Sequence, residues 1–192
     1  MVVHLTDGDG TISYLLMNEA AMTRAVNGIM GEARLYQGVN LDSEGLGYRD
    51  DGEQLEAVQD GFTKFVRLLA EQVKAANLTL TRTLHAPNSA YKGYDFKALG
   101  ELADQIIIMA YDYGSKPEPV SLVTEAVEMA RASVPPEKLV LGVSAPTETA
   151  ESILIKVGIA KRYGLDDIAI WRLGLVTGEM WDALRTSVIP RR

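Results

Sequence analysis

Asn40, Asp42 and Glu44 recur at every second position in a short run near the first quarter of the chain, residues 38–47. A β-strand has a side-chain period of two, so these three polar groups share one face while Val39 and Leu41 take the other. Gly45 and Gly47 end the run. Burial and a neighbouring carboxylate both disfavour ionisation, so Glu44 is expected to hold a proton near neutral pH while Asp42 receives its hydrogen bond. A proton held in that way is what a general acid needs.

Such a row must be held by a scaffold, and the rest of the chain reads as one. Helix-period patterns cover 17–34, 52–77, 95–103, 120–133, 149–163 and 178–186. Between them lie β-rich runs at 38–42, 78–84, 105–111, 138–143 and 167–171, with a weaker candidate at 2–5. The runs Ile106-Ile107-Ile108 and Leu139-Val140-Leu141 are apolar on both faces, as in parallel strands covered by helices. A repeat of about 30 residues per βα unit suits a right-handed succession, closed as a barrel or opened as a doubly wound sheet. The barrel is favoured because polar or aromatic residues gather at the C-terminal ends of several strands: Asp42, Glu44, His85, Tyr111, Asp112 and Trp171. There is also no glycine-rich phosphate loop after the first strand. Five clear strands and one weak one fall short of eight. The expected fold is therefore α/β, of the (β/α)8 TIM-barrel type but incomplete: a single domain over 1–192 with about six βα units, its first two units missing.

The motifs then become specific. The segment Gln37-Gly38-Val39-Asn40-Leu41-Asp42-Ser43-Glu44 resembles the DxxDxDxE signature of family 18 glycoside hydrolases, the chitinase-like barrels, and Gly45-Leu46 continues it as in their spore-cortex and peptidoglycan-directed branch. Met109-Ala110-Tyr111-Asp112-Tyr113 resembles the family's MxYD segment, and Ile170-Trp171-Arg172-Leu173-Gly174 its eighth-strand segment. The three occur in the family's order. Two positions depart from the signature, with Gln37 at its first Asp and Asn40 at its second.

The resemblance implies a retaining, substrate-assisted hydrolysis of β-linked N-acetylglucosamine polymers, with peptidoglycan or spore cortex ahead of chitin. In that chemistry the sugar's own 2-acetamido oxygen is the nucleophile. Glu44 protonates the leaving oxygen and later activates water, Asp42 binds the acetamido N–H, and Tyr111 holds its oxygen. Asn40, Met109, Asp112 and Trp171 are implied to bind substrate, with the Trp171 indole flooring the sugar. An extracellular, cell-envelope or spore-associated address is implied as well.

Each residue also has a structural reading. Tyr111 and Trp171 could be core aromatics, and strict alternation puts Asp112 on the face opposite Tyr111 unless the strand ends or bends there. Trp181, near Met180 and Leu184, reads as packing; His85 precedes a turn; His4 has no partner visible in the sequence. Two histidines so far apart give no metal-ligand spacing, so neither a metal nor a cofactor is expected. A non-catalytic, carbohydrate-binding barrel is the second reading. A barrel lyase or aldolase would want a strand-end lysine, and none is offered.

Bulk properties agree with these readings. The 192 residues are 47% hydrophobic and 23% charged, enough for a sizeable core. A net charge of −7 argues against nucleic acid as the main ligand. The absence of cysteine removes disulfides and thiolate chemistry. Apolar runs such as 106–110 are too short to span a membrane, and no secretory leader is legible before Met1. An incomplete barrel would expose parallel edges, so self-association or completion by an upstream segment is expected. Arg191 and Arg192 read as a tail without signal.

Overall fold

The computed structural model describes residues 1–8, 10–165 and 167–189, so the Arg191-Arg192 end lies outside the described residues. Six strands form one parallel sheet in chain order: β1 (Val2–Thr6), β2 (Gly38–Glu44), β3 (Thr79–His85), β4 (Gln105–Met109), β5 (Leu139–Ser144) and β6 (Asp167–Trp171). The helices are α1 (Thr11–Leu16), α2 (Glu19–Ala33), α3 (Gly52–Ala75), α4 (Phe96–Leu102), α5 (Val120–Arg131), α6 (Ala150–Arg162) and α7 (Gly178–Ser187). This is the succession of a TIM-barrel-type α/β fold. The weak candidate at 2–5 is a full strand, whereas the helix predicted from 17 begins at Glu19, where Asn18 accepts the Ala21 N–H as its cap. The short helix α1 carries no sequence cue of its own and was not expected. Among the described residues no helix is long and apolar enough to cross a membrane.

The chain divides into two compact units within β4, one of residues Met1–Ile106 and a second starting at Ile107. In the first, α3 lays Val58, Phe62, Phe65, Val66, Leu69 and Val73 into the core, the 3.6-residue stripe of an amphipathic helix. Facing it, the alternating pattern of β2 buries Val39, Leu41 and Ser43, and that of β3 buries Leu80, Arg82 and Leu84. At about 1.5–3 kcal/mol per large apolar side chain, this layer is what fixes the register of β2 and leaves its 40-42-44 face turned the other way. Register follows: His4 pairs with Asp42 and Thr6 with Glu44 on one side, Asn40 with Thr81 and Asp42 with Thr83 on the other.

In the second unit β5 is buried along its whole length, as its two-sided apolar sequence predicts. α5 covers it with Val123, Ala126, Val127 and Ala130. α6 starts in a capping box of Thr149 and Ser152, and α7 on the Thr177 hydroxyl. Gly142 of β5 sits where a Cβ would come within 2.6 Å of the Ile108 carbonyl and 3.3 Å of the Tyr111 ring, so this position leaves room for that tyrosine.

Candidate active site

The two units carry separate parts of the predicted residue set: Asn40, Asp42 and Glu44 in the first, Met109, Tyr111, Asp112 and Trp171 in the second.

In the first unit the polar row stands as the alternation predicts, and each member has a different environment. Asn40 is tied into β3: its Nδ2 donates to Thr81 Oγ1 at 2.9 Å, and its Oδ1 accepts from Thr83 Oγ1 at 3.1 Å. Asp42 keeps only 17% of its side chain exposed. Its Oδ2 lies 3.2 Å from His4 Nδ1, while its Oδ1 is buried without a hydrogen-bond partner. Glu44 is 39% exposed with Oε1 3.7 Å from the same His4 nitrogen, so desolvation acts on it less than the sequence reading expected.

The end of β2 is pinned from several directions. Asp7 N–H donates to the Glu44 carbonyl at 3.0 Å, and the Asp7 carboxylate in turn accepts from Ile12 N, Ser13 N and the Ser13 hydroxyl. Tyr94 donates its hydroxyl to the Ser43 carbonyl at 2.9 Å. Burial pushes this phenol above its ordinary range, with the charges of Glu44 and Asp42 adding to the effect. Gly47, at φ +69°, meets Gly93 so closely that a Cβ would sit 2.3 Å from the Gly93 nitrogen. That contact brings Tyr48 to Tyr91, ring centroids 5.2 Å apart, and Tyr91 stacks on His85 at 4.0 Å. Burial lowers the His85 pKa from 6.5 to about 4 against the opposing pull of Asp42, so its ring is neutral at pH 7.

Sequence reasoning missed His4. The only cue was that residues 2–5 and 38–44 could be neighbouring parallel strands. Pairing them in register puts position 4 beside position 42, on the same face. The fold thus gathers one ligand atom each from His4, Asp42 and Glu44 within 4.8 Å, a grouping that sequence spacing did not suggest. The distance from His4 to Asp42 is that of a hydrogen bond, and exposed acidic groups often gather without an ion.

In the second unit β4 ends at Met109, which is buried, and Asp112 adopts φ +65°. The strand therefore ends and bends where strict alternation would have separated Tyr111 from Asp112. Glu118, itself buried, holds this bend: Oε1 accepts the Asp112 N–H at 3.0 Å and Oε2 the Tyr113 N–H at 3.1 Å. Lys156 Nζ donates to the Glu118 carbonyl at 2.7 Å and pairs with Glu148 at 3.1 Å, both side chains almost fully buried. No motif announced Glu118, because its role depends on the loop folding back by five or six residues. Trp171 ends β6 with 54% of its surface exposed, which sets aside its reading as a core aromatic. Trp181, expected to pack, keeps 38% exposure while Met180 and Leu184 are buried.

The model of the family described as "Glycosyl hydrolases family 18" matches residues 15–147. "Putative sporulation-specific glycosylase YdhD" of Bacillus subtilis (strain 168) is 32% identical over 157 residues, which is 74% of this chain and 36% of that protein. The chain therefore spans about a third of the length of that curated relative. Among solved structures, the spore cortex-lytic enzyme SleL of Bacillus megaterium QM B1551 superposes with a TM-score of 0.82 at 17% identity, covering 97% of this chain and 59% of that one. A chitinase from Chromobacterium violaceum ATCC 12472 gives 0.82 at 20% identity, covering 99% and 80%. Likeness at such identities speaks for the fold.

Proposed function

The chain belongs to glycosyl hydrolase family 18, and from that membership we propose that it forms the catalytic part of a retaining glycoside hydrolase acting on β-linked N-acetylglucosamine polymers, with spore cortex or peptidoglycan ahead of chitin. The observation that carries the reading is the placement of Asp42 and Glu44 on one face at the C-terminal end of β2, with the Asp42 Oδ1 left without a donor. Active sites of this architecture sit at that end of the strands. Its six βα units correspond, in this reading, to the later units of an eight-stranded barrel.

In this mechanism Glu44, with its side chain partly open to solvent, gives its proton to the leaving glycosidic oxygen while the sugar's acetamido oxygen attacks the anomeric carbon. Asp42 accepts the acetamido N–H, which supplies the donor its buried oxygen lacks and orients the amide for attack. The carboxylate of Glu44 then takes a proton from water as it opens the oxazolinium ring, and the anomeric configuration is retained. Tyr111 holds the acetamido oxygen, Trp171 floors the sugar, and Asn40, Met109 and Asp112 contact the substrate.

The test is cleavage of an N-acetylglucosamine oligomer by the wild type and by Glu44→Gln, with the N-deacetylated oligomer alongside. Glu44→Gln should abolish product formation yet still bind the oligomer, and the deacetylated chain should be a poor substrate. Unchanged turnover in the variant removes Glu44 as the acid, and equal rates on both oligomers reject assistance by the acetamido group. Binding by the wild type with no product after long incubation would favour the carbohydrate-binding barrel, a reading supported by Gln37 at the first position of the signature.

A further inference from the structure

Strand β1 brings His4 opposite Asp42, and because the pair is parallel and in register their side chains emerge on the same face. An ionised carboxylate only accepts, so the 3.2 Å contact requires the His4 Nδ1 to carry the proton. The other side chains along that face do not take this place. Both ends of the Asn40 amide are engaged by Thr81 and Thr83, and the proton of Glu44 is the one the proposed reaction gives to the leaving oxygen. Among the described residues, His4 is the hydrogen-bond partner of the Asp42 carboxylate.

We propose that His4 is a positioning residue for Asp42: its Nδ1–H holds Oδ2, sets the rotation of the carboxylate, and leaves Oδ1 to receive the substrate's amide N–H. Three features support this. A carboxylate on a single χ2 torsion turns broadly unless a donor fixes it, since terminal sp² torsions have shallow wells. The Asp42 Oδ1 is buried with no donor, a costly state for an oxygen that is not about to be used. The parallel register of β1 on β2 fixes where the imidazole stands, so the donor is held beside Asp42 by backbone pairing. His4 acts through Asp42 and takes no proton from substrate.

The catalytic half of this inference rests on the hydrolase reading, and the test separates the two. Kinetics on an N-acetylglucosamine tetramer are compared for the wild type, His4→Ala and His4→Asn, the last placing an amide donor where Nδ1 stood. His4→Ala should lower kcat about tenfold with KM within about twofold, because a misaimed group slows the chemistry more than the binding. His4→Asn should recover to within about threefold of the wild type. In parallel, ¹⁵N spectra of the imidazole nitrogens should show the proton on Nδ1 in the wild type and its return to Nε2 in Asp42→Ala. Equal kcat in His4→Ala, a change confined to KM, or no rescue by asparagine overturns the proposal. So does a nitrogen spectrum indifferent to Asp42→Ala. If the wild type turns over no oligomer, the hydrolase reading fails while the spectrum still decides the pairing. Should His4→Ala not fold, His4→Asn and the spectrum carry the test.

Discussion

The bend that carries Tyr111 and Asp112 hangs on one side chain, and Glu118→Gln tests that dependence. Each oxygen of the buried Glu118 carboxylate accepts one backbone N–H, Asp112 at 3.0 Å and Tyr113 at 3.1 Å. A hydrogen bond to a charged group is worth about 1.5–3 kcal/mol. Glutamine keeps one acceptor and turns an NH₂ donor toward the other N–H, so one charged bond is lost and the survivor becomes neutral. The expected local cost is about 2–3 kcal/mol, which converts to a fall in hydrogen-exchange protection at Asp112 and Tyr113 of about 30- to 150-fold. The main-chain carbonyl that receives Lys156 is untouched by this change, as is the Lys156–Glu148 pair. The rest of the second unit should therefore keep its protection. Amide exchange read residue by residue gives the answer directly. Turnover of the oligomer should fall as well, since Tyr111 sits at the start of the loosened segment. Unchanged exchange at both amides would refute the reasoning, and so would loss of protection spread evenly over β4 and β5.

Two further groups in the first unit, the buried Arg82 and the partly buried His85, give outcomes of their own. Arg82 is fully buried between β3 and α3 with no hydrogen-bond partner, its guanidinium 5.7 Å from the Phe62 ring. Burial lowers its pKa to about 9. A buried unpaired charge costs more than the cation–π contact returns, so Arg82→Met should stabilise by about 1–2 kcal/mol and raise Tm by about 2–8 °C. Because the folded pKa lies below the unfolded one, the wild type should also gain stability as pH rises through about 9, a gain absent in the variant. A lower Tm for Arg82→Met would count against this. For His85, with a folded pKa of about 4 against 6.5, the unfolded chain binds the proton first on acidification. Stability should thus fall as pH drops from 6.5 toward 4, with no effect above that window. His85→Phe, which keeps a ring on Tyr91, should lose less of its Tm between pH 7 and pH 4.5 than the wild type does; equal losses would contradict the assignment.

Local patterning was enough for much of this protein. The alternation of residues 38–44 placed Asn40, Asp42 and Glu44 on one face before any neighbour was known, since a pleated strand imposes a period of two whatever it pairs with. The helical stripes were legible in the same way, and so was the doubly buried β5. Strand ends were less so. The run to 111 stops at Met109, where the Ala110 N–H turns back to the Ile108 carbonyl at 2.9 Å and Glu118 takes the N–H groups of Asp112 and Tyr113, events that no propensity encodes. The carboxylate row was readable, but its surroundings were not. The partner of Asp42 lies 38 residues away on another strand. Arg82 reads as an inward polar residue of a strand until α3 covers it. Periodicity is a property of one segment and survives in the sequence; register is a relation between two, set by burial of whole faces, and only the folded chain decides it.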